Sequence, residues 1–178
     1  MRSLVGQLLE LVRGQSRARD PRTADDPLGL EHVFGDDPAR PTDPVVLRLF
    51  PDGYRDDDEE AAEFRRFTEQ SLRDTKVDSA TTVLATLEAV GGSDAAKEDV
   101  AKREKVRLRL DPAAAQAWLR TLTDLRLALG TRLGVEEDDA EHWDSLTDGD
   151  PRRHIHDVYE WLGWVQETLV RALSAGLK

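Results

Sequence analysis

Two stretches of this chain repeat apolar residues at alternating spacings of three and four, a pattern that only an α-helix turns into a single face. Trp118, Leu122, Leu125, Leu129 and Leu133 make one stripe; Ile155, Val158, Leu162, Val165, Leu169 and Leu173 make the other. Helix signals bound both. Asp111 stands as a cap before Pro112, and Pro151 opens the last stretch, since proline is tolerated in a first helical turn, where its missing N–H costs nothing.

The same reading extends along the chain. Leu4, Leu8 and Leu11, backed by Val5, Leu9 and Val12, predict a first helix that Gly14 ends. Asp43-Pro44 starts a short helix carrying Val45, Val46, Leu49 and Phe50, stopped by Pro51 and Gly53. The acidic run Asp56 to Glu60 reads as a helix opening rather than a metal site, because carboxylates favour the positive end of the helix dipole. Phe64 and Phe67 follow on one face, and Thr68 is expected to cap a further helix with Leu72, Lys76, Ala80, Val83, Leu87 and Val90, ended by Gly91-Gly92.

One segment has a different period. Val106, Leu108 and Leu110 alternate with Arg107 and Arg109, which predicts a half-buried strand with arginines on its wet face. The fold class expected is mainly α: a helical bundle of five to six helices with at most one short β element, in a single domain over residues 1–178. A Pro/Asp-rich loop is expected at about 15–43, with prolines at 21, 27, 38 and 41, and a charged linker at about 93–105. The long loop fits a functional loop or a loosely packed insertion, and its composition favours the insertion.

The net charge of −11 opposes simple coating of nucleic acid, so a DNA-binding face would have to be local. With no cysteine, disulfides, thiolate nucleophiles and Cys-ligated metals are excluded. No secretory leader or membrane span is expected, which makes the cytoplasm the default location. Neither GxSxG, a Gly-rich phosphate loop nor HExxH occurs, and 36 acidic residues make incidental carboxylate pairs certain; the chain reads as no enzyme, with no cofactor. His154 and His156, two apart on a helix, point to different sides and cannot share an ion, so they read as solvated helix-start residues.

Basic residues gather in three places: Arg13, Arg17, Arg19 and Arg22 where the first helix meets the loop, Lys97, Lys102, Arg103, Lys105, Arg107 and Arg109 before and within the alternating segment, and Arg152, Arg153 and His154 at the opening of the last helix. Arg152 and Arg153, with Lys102 and Arg103, are the candidate phosphate contacts. A solvated mixed-charge surface is the simpler reading of each. Trp161 and Trp164 lie away from the centre of the last stripe. Such a helix is either wholly internal or packed on its own core and on a partner; internal burial is the favoured expectation, with Trp161, Trp164 and Leu108 as the candidate dimer contacts.

Several phrases resemble an actinobacterial family of oxidative-stress transcriptional regulators (AosR-like), long catalogued as a domain of unknown function. They are WLRTLTDLRLALGTRLGV at 118–135, YEWLGWVQETLVRAL at 159–173, DPVVLRLFPDGY at 43–54, FRRFTEQSLR at 64–73, and residues 106–112. The resemblance implies a small homodimeric regulator linked to redox stress and sulfur metabolism, with DNA or a protein as its partner. The cysteine-based switch proposed for such regulators cannot operate here. An acidic interaction module that binds a protein and not DNA is the alternative. Members of that family begin with a short strand before the first helix, whereas this chain starts in the helix at Met1-Arg2-Ser3. A missing upstream extension is therefore expected to supply the partner of the 106–110 strand, the alternatives being its twin across a two-fold axis or a loop segment near Leu30–Phe34.

Overall fold

The computed structural model describes residues 1–17, 41–54, 56–91, 108–136, 143, 145–147 and 149–176. Among these are five helices: α1 (Arg2–Arg17), α2 (Pro44–Leu49), α3 (Asp58–Gly91), α4 (Pro112–Leu133) and α5 (Pro151–Gly176). The mainly helical bundle expected from the apolar spacing is what forms.

Most starts obey the local chemistry. The Asp43 carboxylate accepts from the Val45 N–H at 2.8 Å, and that of Asp111 accepts from the Ala114 N–H at 2.7 Å. Each satisfies one donor that a first turn leaves orphaned, and a proline follows each cap. Asp57 accepts from the N–H groups of Glu59 and Glu60, both at 3.0 Å, so the acidic run opens α3. Gly134, at φ 71°, ends α4 in the left-handed conformation that glycine adopts without strain.

α4 is the hub: it contacts α1, α2, α3 and α5, and α1 also packs on α3. The core joins Val5, Leu8, Leu9 and Val12 of α1 to Val45, Val46, Leu49 and Phe50 at α2, Ala80 and Val83 of α3, Trp118, Leu122 and Leu125 of α4, and Leu162 of α5. Polar clamps cross the α3–α4 seam. The Trp118 indole N–H donates to the Thr86 hydroxyl at 2.9 Å, and the Lys76 ammonium donates to Asp124 at 2.6 Å. Burial pushes the Asp124 carboxyl above its ordinary value, against the pull of Lys76.

Three expectations are corrected. α1 runs through Gly14 to Arg17, so the 15–43 segment begins as helix; one glycine inside a helix costs only about 1 kcal/mol against alanine, too little to end one that is packed on its neighbours. Thr68 caps nothing: α3 is continuous from Asp58 to Gly91, and the Thr68 hydroxyl donates back to the Phe64 carbonyl at 2.8 Å, as serine and threonine do inside helices. No described residue lies in a strand. Leu108 and Leu110 form an irregular lead into the Asp111 cap and pack half-buried against the helical core, so their alternation is satisfied by helices rather than by a sheet; Val106 and Arg107 fall outside the described residues. The face carrying Phe64 and Phe67 is exposed.

The reason for that exposure is visible in α3. Its inward stripe is Ala61, Arg65, Glu69 and Arg73, all buried. Arg65 pairs with Asp52, and Arg73 pairs with Glu69 while donating to the Val12 carbonyl. The Arg73 guanidinium also lies over the Phe50 ring, 4.4 Å from its centroid. Buried arginines with satisfied donors occupy the positions where apolar residues would be expected, and the phenylalanines point outward.

Candidate interaction surface

α5 takes its position from its packing along α4. Leu162 is its one buried residue among those described, with Val158, Val165 and Leu169 half-buried against the core beside it. At about 100° per residue, Trp164 lies opposite Leu162 and Trp161 on the flank. Both are exposed, 63% for Trp164 and 44% for Trp161. The expectation of internal burial is therefore wrong for the single chain: α5 is a flanking helix on α4, not a central one, and nothing described covers its far side. Leu108 packs half-buried against the core.

The start of α5 is built from local pairs. The Asp150 carboxylate accepts from the Arg152 backbone N–H at 2.9 Å and holds the Arg152 guanidinium at 2.6 Å, which raises the guanidinium's pKa. Arg153 turns the other way and donates to the Leu146 carbonyl at 2.6 Å. The two arginines named as phosphate contacts thus have structural partners at the helix start. Lys102 and Arg103 lie outside the described residues. His154 is exposed, whereas His156 stacks on the buried Trp143, ring centroids 4.6 Å apart and planes 6° from parallel, so only the first of the pair is solvated. No group of three metal-ligating side chains occurs among the described residues, and no described helix is long and apolar enough to cross a membrane.

A second apolar area escaped the sequence reading. Phe67 is exposed at 71%, with Phe64, Tyr54 and Leu72 also exposed. Phe64 meets Tyr54 edge to face at 5.9 Å and rests on Gly53, where a Cβ would come within 2.6 Å of its ring. The signal was present in the sequence as charged residues at four-residue intervals from Arg65 to Arg73, but it becomes legible only once those charges are seen to find partners. Exposed aromatics grouped in this way mark contact surfaces more than they mark catalytic ones.

Comparison with known proteins places the chain. The family model described as a domain of unknown function, DUF2017, matches residues 1–173. A protein of Mycobacterium leprae named "Putative oxidative stress regulator AosR" is 33% identical over 98% of this chain and 77% of its own length. The "Oxidative stress regulator AosR" proteins of Mycobacterium bovis and Mycobacterium tuberculosis are each 31% identical over 97% of this chain and 76% of theirs. No solved structure matches the chain.

Proposed function

The chain belongs to the DUF2017 family, and from that premise we propose that it is a non-enzymatic regulator of the oxidative-stress response, acting on transcription as a homodimer joined through the outer face of α5. One observation carries the dimer: Trp161 and Trp164 stand in solvent on a helix whose opposite side is already packed. Two large aromatics exposed side by side are the residues that most often anchor subunit contacts. The absence of cysteine separates this regulator from any thiol switch. The signal must reach it by another route, through a bound molecule or a partner.

Sedimentation tests the dimer. The native protein is expected to sediment as a dimer at micromolar concentration, and Trp164→Glu as a monomer with unchanged helical content. A native monomer at high concentration would sink the assignment of this face to a second copy.

A second reading is favoured by the start of α5, where Asp150 already holds Arg152. An acidic chain whose candidate phosphate-binding arginines are engaged at home suits a module that binds another protein and leaves DNA to it. Promoter fragments from the protein's own genomic neighbourhood distinguish the two. Direct regulation requires binding at low salt that weakens steeply as salt rises; no binding at low salt leaves the protein-partner reading.

A further inference from the structure

A cleft of about 440 Å³ opens where α2, α4 and α5 meet, a size within the roughly 300–1,000 Å³ typical of small-molecule sites. Its walls include Arg48 from α2 and Arg126 from α4, with Tyr159 and Gln166 from α5. Arg126 is held by neutral groups only. It donates to the Gln166 side-chain carbonyl at 3.2 Å and to the Tyr159 hydroxyl at 3.3 Å, both long for such bonds. It also lies over the Tyr159 ring, 5.0 Å from the centroid. Its Nε is shut off from solvent with no acceptor. The contrast with Arg65, Arg73 and Arg132 is direct, because each of those holds a carboxylate.

A half-buried guanidinium without a carboxylate is a charge left uncompensated, and it is costly unless an anion completes it. The cleft also fixes the fork in place. The Gln166 amide donates to the Thr123 hydroxyl at 2.9 Å, which turns its carbonyl toward Arg126. A guanidinium oriented in advance, with a second arginine lining the same cleft, suits a carboxylate or phosphate group. Glu136 stands on the same rim, and the C-terminal end of α4 adds partial negative charge. Those features disfavour a polyanion.

We propose that this cleft binds a small metabolite carrying a single carboxylate or phosphate group, its anionic end held by Arg126 and Arg48 and its neutral remainder lying along the hydroxyls of Tyr159 and Thr131. The site goes beyond the regulatory reading above and does not depend on it, since occupancy can be measured whether or not the chain dimerises or binds DNA. Arg126 reaches across to α5, so an anion drawn to it stands at the seam between α4 and the tryptophan-bearing helix.

Thermal unfolding of the full chain tests the site with two probes, inorganic phosphate and glycolate, against sodium chloride at matched ionic strength. The expected result is a midpoint that rises with probe concentration beyond the chloride control, as binding to the folded state requires. Response to one probe alone identifies which oxyanion fits. Arg48→Gln, at an exposed position where folding is not at risk, should weaken the response at least about tenfold, the value of one charge-assisted hydrogen bond. Arg126→Lys keeps the charge and loses the fork, and should weaken it also. Midpoints that follow chloride for both probes, or an undiminished response in Arg48→Gln and Arg126→Lys, overturn the proposal.

Discussion

Between Ala114 and Leu125, α4 is enclosed by its neighbours: Ala114, Ala115, Ala117, Trp118, Thr121, Leu122, Asp124 and Leu125 are all buried. From Arg126 to Leu133 the same unbroken helix has no buried residue. The first part is gripped by α1 and α3 through apolar packing and the Trp118 and Lys76 clamps. The second faces α5 through the long bonds of Arg126 to the neutral Gln166 and Tyr159 side chains, is tied to the start of α2 by the Arg132–Asp43 ion pair, and leaves a cleft between them. One rigid rod thus supports both the fold and a loosely filled end, which is where a binding group can be held in place without being buried by the protein itself.

Substitution sharpens the contrast. Trp118→Ala should lower the unfolding free energy by about 3–5 kcal/mol, because it empties a packed site and removes the indole bond to the Thr86 hydroxyl. Leu129→Ala, at a half-buried position of the second part, should cost about 1–2 kcal/mol, a fraction of the full transfer term. Urea unfolding of both variants measures the difference. Equal losses would break the comparison, since they would mean that the second part is as tightly packed as the first.

The first part was far more legible in the sequence than the second. Asp111-Pro112 and the Trp118–Leu122–Leu125 spacing specify a helix and its buried face with no knowledge of its neighbours. The stripe also named Leu129 and Leu133, but periodicity gives the direction of a side chain and not how much of it a neighbour covers. α5 shows the same limit. Its inner stripe was readable, yet whether Trp164 met protein or water depended on α5 lying at the edge of the bundle. In α3 the pattern misleads outright, because Arg65, Glu69 and Arg73 point inward where their charges cancel or are bonded, and Phe67 points out. The cleft left no pattern at all. Arg48, Arg126, Tyr159 and Gln166 come from three helices, and only the packing of those helices brings them together.

The smallest expected effect concerns how α2 is fastened to the open end of α4. Asp43 caps α2 and also accepts from the Arg132 guanidinium, at 2.7 Å, near the end of α4. Asp43→Ala should cost about 1 kcal/mol at neutral pH, the usual value of a lost cap, with little added by so exposed an ion pair. Slight burial pushes the Asp43 carboxyl up, but its bond from the Val45 N–H and the Arg132 charge outweigh that and hold it below its ordinary value. With a folded pKa below the unfolded one, its contribution is complete above about pH 4 and fades as the pH falls through the folded value. Asp124 runs the other way: its raised carboxyl contributes most below the unfolded value, and that contribution is lost as the pH rises. A pH profile of the native protein therefore mixes two opposite slopes, and the difference between native protein and Asp43→Ala isolates one. That difference should be constant from pH 5 to neutrality and shrink below about pH 4. A gap that stays unchanged into acid would show that the cap acts through the shape of the turn rather than through the charge of Asp43, and the link between α2 and the second part of α4 would then owe nothing to Arg132.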